Sequence, residues 1–188
     1  MIERIRNKEI NPDRIWFSDE CHFYVHGYVN KQNHRILGTS YPHEILERPA
    51  HPEFLTVWMA ISSTGFIGPF FFYDTVNGEA YEQMLRDFLI EKASEQNEIN
   101  AYWFKQDGAL PHRTRAVKEL IRSVFSDRII GIGFETDTGR EIAWPPYSPD
   151  LNQCDFYLEG AMKDYVFKNK QNGLKGLKKT IEESVHKS

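Results

Sequence analysis

The apolar positions of this chain fall into short β-like runs in its first third and into helical spacing further on. Residues 13–19, DRIWFSD, are rich in aromatic and branched side chains and predict a buried strand ending near Asp19. HFYVHGYVN (22–30) predicts a partner strand, and HRILGT (34–39) a third short strand or an edge. Three prolines in 42–53 mark a loop. FLTVWMAISSTGFIGPFFFYDT (54–75) reads as two strands joined at Ser62–Gly65. Asn77 then stands as the N-cap of a helix over about 78–96, with Tyr81, Leu85, Phe88 and Leu89 at helical spacing. AYWFKQD (101–107) is a short apolar strand, and Thr114–Phe125 an amphipathic helix. That helix turns Val117, Leu120, Ile121 and Val124 inward and Arg115, Lys118 and Arg122 outward. Residues 126–143 carry glycine turns without periodicity and read as an insertion loop, ending in a short strand at 142–144. A helix from Asp155 to about Lys168 follows, then a break at Gly173 and a last helix. Antiparallel strands followed by alternating helices and strands predict one α/β domain over 1–188, a mixed sheet covered by helices.

Bulk properties narrow the function classes. At 188 residues, 40% hydrophobic and 14% aromatic, the chain can bury a real core. No apolar run reaches about 18 residues, so a spanning helix and a membrane partner are not expected, and the charged N-terminus MIERIRNKEINPDR is unlike a signal peptide. Two cysteines, Cys21 and Cys154, argue against a disulfide framework and suit a reducing compartment. The net charge of −4 runs against a chain that grips nucleic acid mainly by neutralising phosphates.

Three acids change that picture. Asp19 closes RIWFSD, Asp107 closes AYWFKQD, and Asp155 opens an apolar run after WPPYSPDLNQC. Singly, an aspartate at the end of an element is usually a turn former or a cap; Asp150, in Ser148-Pro149-Asp150, is read that way, and Asp155 is open to the same reading. Together, three carboxylates on separate elements are what phosphodiester chemistry requires. They can hold two divalent ions roughly 3.5–4 Å apart, which activate the attacking oxygen and neutralise the leaving one.

QDGALPH (106–112) with WPPYSPDLNQCDFYLEG (144–160) resembles the catalytic core of mariner-like DNA transposases, as do FSDECHF (17–23) and VWMAISSTGFIGPFFF. The resemblance runs from about Arg14 to Lys170 and implies a ribonuclease H-like fold. It also implies a catalytic, metal-binding triad on Asp19, Asp107 and Asp155, two Mg²⁺ ions with Mn²⁺ able to substitute, and cut-and-paste chemistry on double-stranded DNA at transposon ends and target. A homodimer and a nuclear location in a eukaryotic host follow from the same likeness, with no small-molecule substrate. His112 ends the second motif and is expected to support the site or contact phosphate, or else to act as a structural cap; Glu20 follows the first acid and is a second support candidate. The alternative is an inactive or domesticated remnant that binds DNA or protein.

The chain also departs from that family. Between Asp107 and Asp155 lie 47 residues, longer than the usual spacing, and the excess is placed in the glycine-containing segment. Leu110 replaces a common proline, and Glu159 stands where tryptophan is common, either as a fourth acid on the face of Asp155 or as the mark of a decaying copy. Only 18 residues precede Asp19, too few for the helix-turn-helix modules of mariner-like enzymes, so a fragment or a repurposed core is expected. Arg113, Arg115, Lys118 and Arg122 form a basic face beside Asp107, either simply solvated or available to DNA phosphates. Cys21, His22 and His26 lack the face and spacing of a zinc site. The four tryptophans are expected in or near the core, with Trp144 alone placed to stack on a base.

Overall fold

The computed structural model describes residues 2–25, 52–94, 99–134, 141–143, 152–169 and 171–185. A short helix α1 (Ile2–Arg6) leads into β1 (Ile15–Tyr24), which pairs antiparallel with β2 (Phe54–Ser62). β2 in turn pairs with β3 (Gly65–Phe72) across the Ser62–Gly65 turn. On the other side of β1 lie the parallel strands β4 (Trp103–Lys105), β5 (Ile129–Gly131) and β6 (Ile142–Ala143). The sheet therefore has six strands in the order β3-β2-β1-β4-β5-β6 and mixes both orientations. Helices cross between the parallel strands: α2 (Gly78–Met84), a wider π turn at Leu85–Leu89 and α3 (Ile90–Ser94) before β4, then α4 (Arg115–Phe125) before β5. After β6 come α5 (Gln153–Phe156), a π segment (Tyr157–Met162), α6 (Lys163–Lys168) and α7 (Gly173–Val185).

Two cores form because alternate strand residues point to opposite faces. Trp16, Trp58 and Phe104 bury one face against Tyr81, Leu85, Val117, Ile121 and Phe125 of α2, the π turn and α4. Phe17, Phe23, Val57 and Met59 bury the other against Cys154, Leu158, Met162, Leu177 and Ile181. Both helix starts are capped: Asn77, as its sequence suggests, with Oδ1 accepting from Ala80 N, and Thr114, expected inside the helix, with its side chain accepting from Val117 N.

Several expectations are corrected. β1 is one strand of ten residues, so Asp19 sits within it and not at its end; its partner is β2, not 22–30. The buried run Ile15–Asp19 reads as a complete strand only because the less apolar continuation Glu20–Tyr24 is held by pairing with β2. The segment 126–143 is not simply an insertion, since residues 129–131 supply β5, while the short strand expected at 142–144 is β6 over Ile142–Ala143. The readings for 34–39 and for most of 42–53 lie outside the described residues, as do those for Trp144, Asp150 and His26.

Phe104, fully buried in the short central strand β4, stacks on Phe125 at 5.0 Å between ring centroids. Phe104→Ala is expected to destabilise the chain by about 3–5 kcal/mol in urea unfolding. A loss below about 1 kcal/mol would show that this helix face does not carry the packing described.

Candidate active site

The parallel register of β1 and β4 pairs Phe17 with Lys105, so two residues further on Asp19 follows within β1 and Asp107 just past the end of β4. β4 ends at Lys105, but the chain stays tied to the sheet, Gln106 N donating to Ile130 O at 3.1 Å. Gly108 leaves room for its neighbours: a Cβ there would lie 2.2 Å from Ile132 Cδ1 and 3.1 Å from Arg113 Nη2, so a larger residue would have to displace those side-chain ends. The turn after it, Leu110–Arg113, carries His112 back over the strand ends.

The third acid arrives on α5. Asn152 caps that helix, its Oδ1 accepting from Cys154 N, while its Nδ2 donates to Asp19 Oδ2 at 2.6 Å. One side chain thus starts the helix and fastens it to the first acid. Asp155 is not the N-cap; it lies a few residues into the helix, with its carboxyl within hydrogen-bonding reach of Asp19. The buried Cys154 thiol donates to Met59 O at 3.5 Å and completes the docking on β2.

Electrostatics set this pair apart. Burial, then the Asp155 carboxyl and the charge of Glu20, push the Asp19 carboxyl well above the ordinary range, and Lys105 opposes them. Lys105, fully buried on β4, is pulled below the usual lysine value by burial, while the charges of Asp19, Asp107 and Asp155 pull it back up. The sequence reading passed over Lys105 and Asn152. A lysine inside an apolar strand, two residues before an acid and therefore on its face, was the available signal for the first; for Asn152 it was an Asn just ahead of an apolar helical run.

Asp107 is held differently. His112 Nδ1 lies 2.6 Å from its Oδ1, which also accepts from Ala109 N at 2.9 Å, and His112 Nε2 reaches Glu20 Oε1 at 3.2 Å. Burial alone would lower the His112 ring, but Glu20 and Asp107 outweigh it and push it up to about 10. Burial would raise Asp107, and the charged His112 brings it down to about 2. His112 is therefore not a simple cap; it joins the acids of two strands.

An all-carboxylate donor set suits Mg²⁺ or Mn²⁺, and the repulsion between Asp19 and Asp155 is what a divalent cation relieves, so these residues fit such an ion. Among the described residues no three Asp, Glu, His or Cys side chains converge as closely as the ligands of one ion; Asp107 is drawn to His112 instead. Glu159 lies in the Tyr157–Met162 segment, and its side chain is outside the described residues. The basic face is not uniform. Arg113 and Arg115 are exposed, Arg115 pairing with Glu119. Lys118 and Arg122 turn inward over the Phe134 ring, and Arg122 also meets Glu141. Cys21 is a buried core residue, and His22 Nδ1 meets Thr56 Oγ1, so neither serves a zinc site.

A mixed sheet covered on both faces, with one acid on β1, one just past the end of β4 and one on the helix behind them, has the ribonuclease H-like fold. The chain belongs to the DDE superfamily endonuclease family, whose model matches residues 14–175. Solved structures with the same fold include the Mos1 transposase paired-end complex with left transposon end, at 21% identity and a TM-score of 0.71 over all of this chain and 52% of that one. They also include the Mos1 transposase catalytic domain with Raltegravir and Mn, at 18% identity and a TM-score of 0.69 over all of this chain and 76% of that one. The Mos1 strand transfer complex is a third, at 21% identity and a TM-score of 0.68 over all of this chain and 51% of that one. The chain thus spans about half the length of the transposase in those DNA complexes. No match was found among curated proteins.

Two substitutions move the cluster's charge in opposite directions. Asp155→Asn removes the like charge facing Asp19 and should raise the melting temperature of metal-free protein while abolishing any rise on adding Mn²⁺. Lys105→Met removes the opposing charge at similar volume and should lower the metal-free melting temperature while enlarging the Mn²⁺-induced rise. Thermal melts with and without Mn²⁺ check both; a lower metal-free melting temperature for Asp155→Asn would contradict the repulsion described.

Proposed function

We propose that this chain is the catalytic core of a cut-and-paste DNA transposase, cleaving strands at the ends of an element and joining the freed 3′ hydroxyl to target DNA. The observation that carries the reading is the meeting of Asp19 on β1 with Asp155 on α5, with Asp107 following β4, the strand next to β1. Asp19, Asp107 and Asp155 would hold two Mg²⁺ ions, or Mn²⁺ in their place. When bound, such ions neutralise charge at the scissile phosphate and lower the pKa of the attacking oxygen. This chain's own residues supply the rest: Asn152 and the Glu20 amide orient the Asp19 carboxyl, and the exposed Arg113 and Arg115 flank the site on the side from which a phosphate backbone could approach.

The related Mos1 structures are of complexes with transposon ends and of a catalytic domain with Mn or Mg, which supports DNA as the substrate and a divalent metal as the cofactor. Double-stranded DNA would be the substrate despite a net charge of −4, and a homodimer would bring two element ends together. In a eukaryotic host the place of action would be the nucleus.

Incubation of the chain with supercoiled plasmid and Mn²⁺ or Mg²⁺ tests the reading. Metal-dependent nicking is expected, abolished by chelation and reduced to background by Asp107→Asn. Nicking that persists in Asp107→Asn, or none in the intact chain with either metal, would contradict an active core and favour a non-enzymatic domain.

A further inference from the structure

Consecutive residues of a strand face opposite sides, so Asp19 and Glu20 of β1 serve different neighbours. Asp19 faces α5 and accepts from Asn152, whereas Glu20, with its side chain 16% exposed, reaches His112 Nε2. The other nitrogen of the same ring lies against Asp107 Oδ1. His112 has little freedom to do anything else. Tyr81, fully buried, lies over the ring with 4.1 Å between centroids, its hydroxyl donating to Gln106 Oε1 at 3.2 Å. Gln106 Nε2 in turn donates to His112 O at 3.1 Å, fixing the backbone of the histidine turn to the residue just before Asp107.

The consequence falls on Asp107. Both of its close contacts use Oδ1, the ion pair with His112 Nδ1 and the hydrogen bond from Ala109 N, while the side chain remains 40% exposed. One oxygen is held and the other is left for a ligand. We propose that Glu20 and His112 are positioning residues that clamp Asp107 so that Oδ2 is presented toward Asp19, making the strand that carries the first acid also set the orientation of the second. This rests on the reading of Asp107 as a metal ligand. Outer partners of this kind orient carboxylate ligands, and their loss typically weakens metal binding about 10–100-fold.

Titration calorimetry with Mn²⁺ on the purified chain tests the clamp, with Asp107→Asn as the reference variant and thermal melts of each protein alongside. Asp107→Asn is expected to lose Mn²⁺ binding at its site. Glu20→Ala should bind Mn²⁺ about 10–100-fold more weakly while remaining folded, and Glu20→Gln should recover most of that loss, because its amide oxygen still accepts from Nε2. A purely structural Glu20 would change the melting temperature without this graded effect on metal affinity. If Glu20→Ala does not fold, His112→Asn carries the same comparison with the same expected weakening. Wild-type Mn²⁺ affinity in the folded variants, with binding lost in Asp107→Asn, would overturn the clamp and leave the ligand reading standing. Wild-type affinity in Asp107→Asn, or no Mn²⁺ binding by the intact chain, would overturn the ligand reading and the clamp with it.

Discussion

Two carboxyl groups held face to face in a buried place are the constraint around which this molecule is arranged. Asp19 is central on β1 and nearly inaccessible, and Asp155 meets it from α5. Such an arrangement opposes folding: burial disfavours the Asp19 charge, and the neighbouring Asp155 carboxyl disfavours it further. It persists because its surroundings are determined by other forces. The Asn152 hydrogen bond fixes the geometry, Lys105 supplies opposing charge, and the apolar face of Cys154, Leu158, Met162 and Val166 drives the helix onto the sheet whatever the acids prefer. Local strain of this kind, maintained by a well-packed frame, is common where a protein prepares a site for a ligand that will relieve it.

The fold makes the arrangement possible through its mixed sheet. The antiparallel strands β1–β3 give β1 a long, rigid partner on one side, and the parallel strands β4–β6 bring the end of β4 level with the middle of β1 on the other. Helices on both faces exclude water from both sides of the sheet, so the acids open toward solvent only near the strand ends, where Asp107 is partly exposed. Functional groups collecting at the carboxyl ends of parallel strands are a general outcome of such sheets, since loops there are free to vary while the strands hold position.

Much of this was legible in the amino-acid order, and the parts that were not have identifiable physical causes. The hairpin at Ser62–Gly65, the cap at Asn77 and the inward stripe of α4 follow from local rules that tertiary context did not override. β1 was divided in two because Asp19 and Glu20 look like a terminus, and only long-range pairing with β2 carries the strand through them. β5, three residues long, is too short to show a period, and its burial comes entirely from neighbours. Of the basic helix face, Lys118 and Arg122 lie along the Phe134 ring, and Arg122 also meets the Glu141 carboxylate, contacts that the helical period does not show. The acids themselves were found by motif, but their partners Asn152, Lys105 and Tyr81 depend on contacts between residues far apart in the chain.

The central claim is that Asp19, Asp107 and Asp155 form one metal-binding centre despite their unequal surroundings. Crystals of the chain soaked in Mn²⁺ and measured at the manganese absorption edge test it directly. Anomalous peaks bounded by Asp19 and Asp155, with Asp107 sharing one of them, are the predicted result. Peaks only at surface carboxylates, with the Asp19–Asp155 contact unchanged, would contradict it.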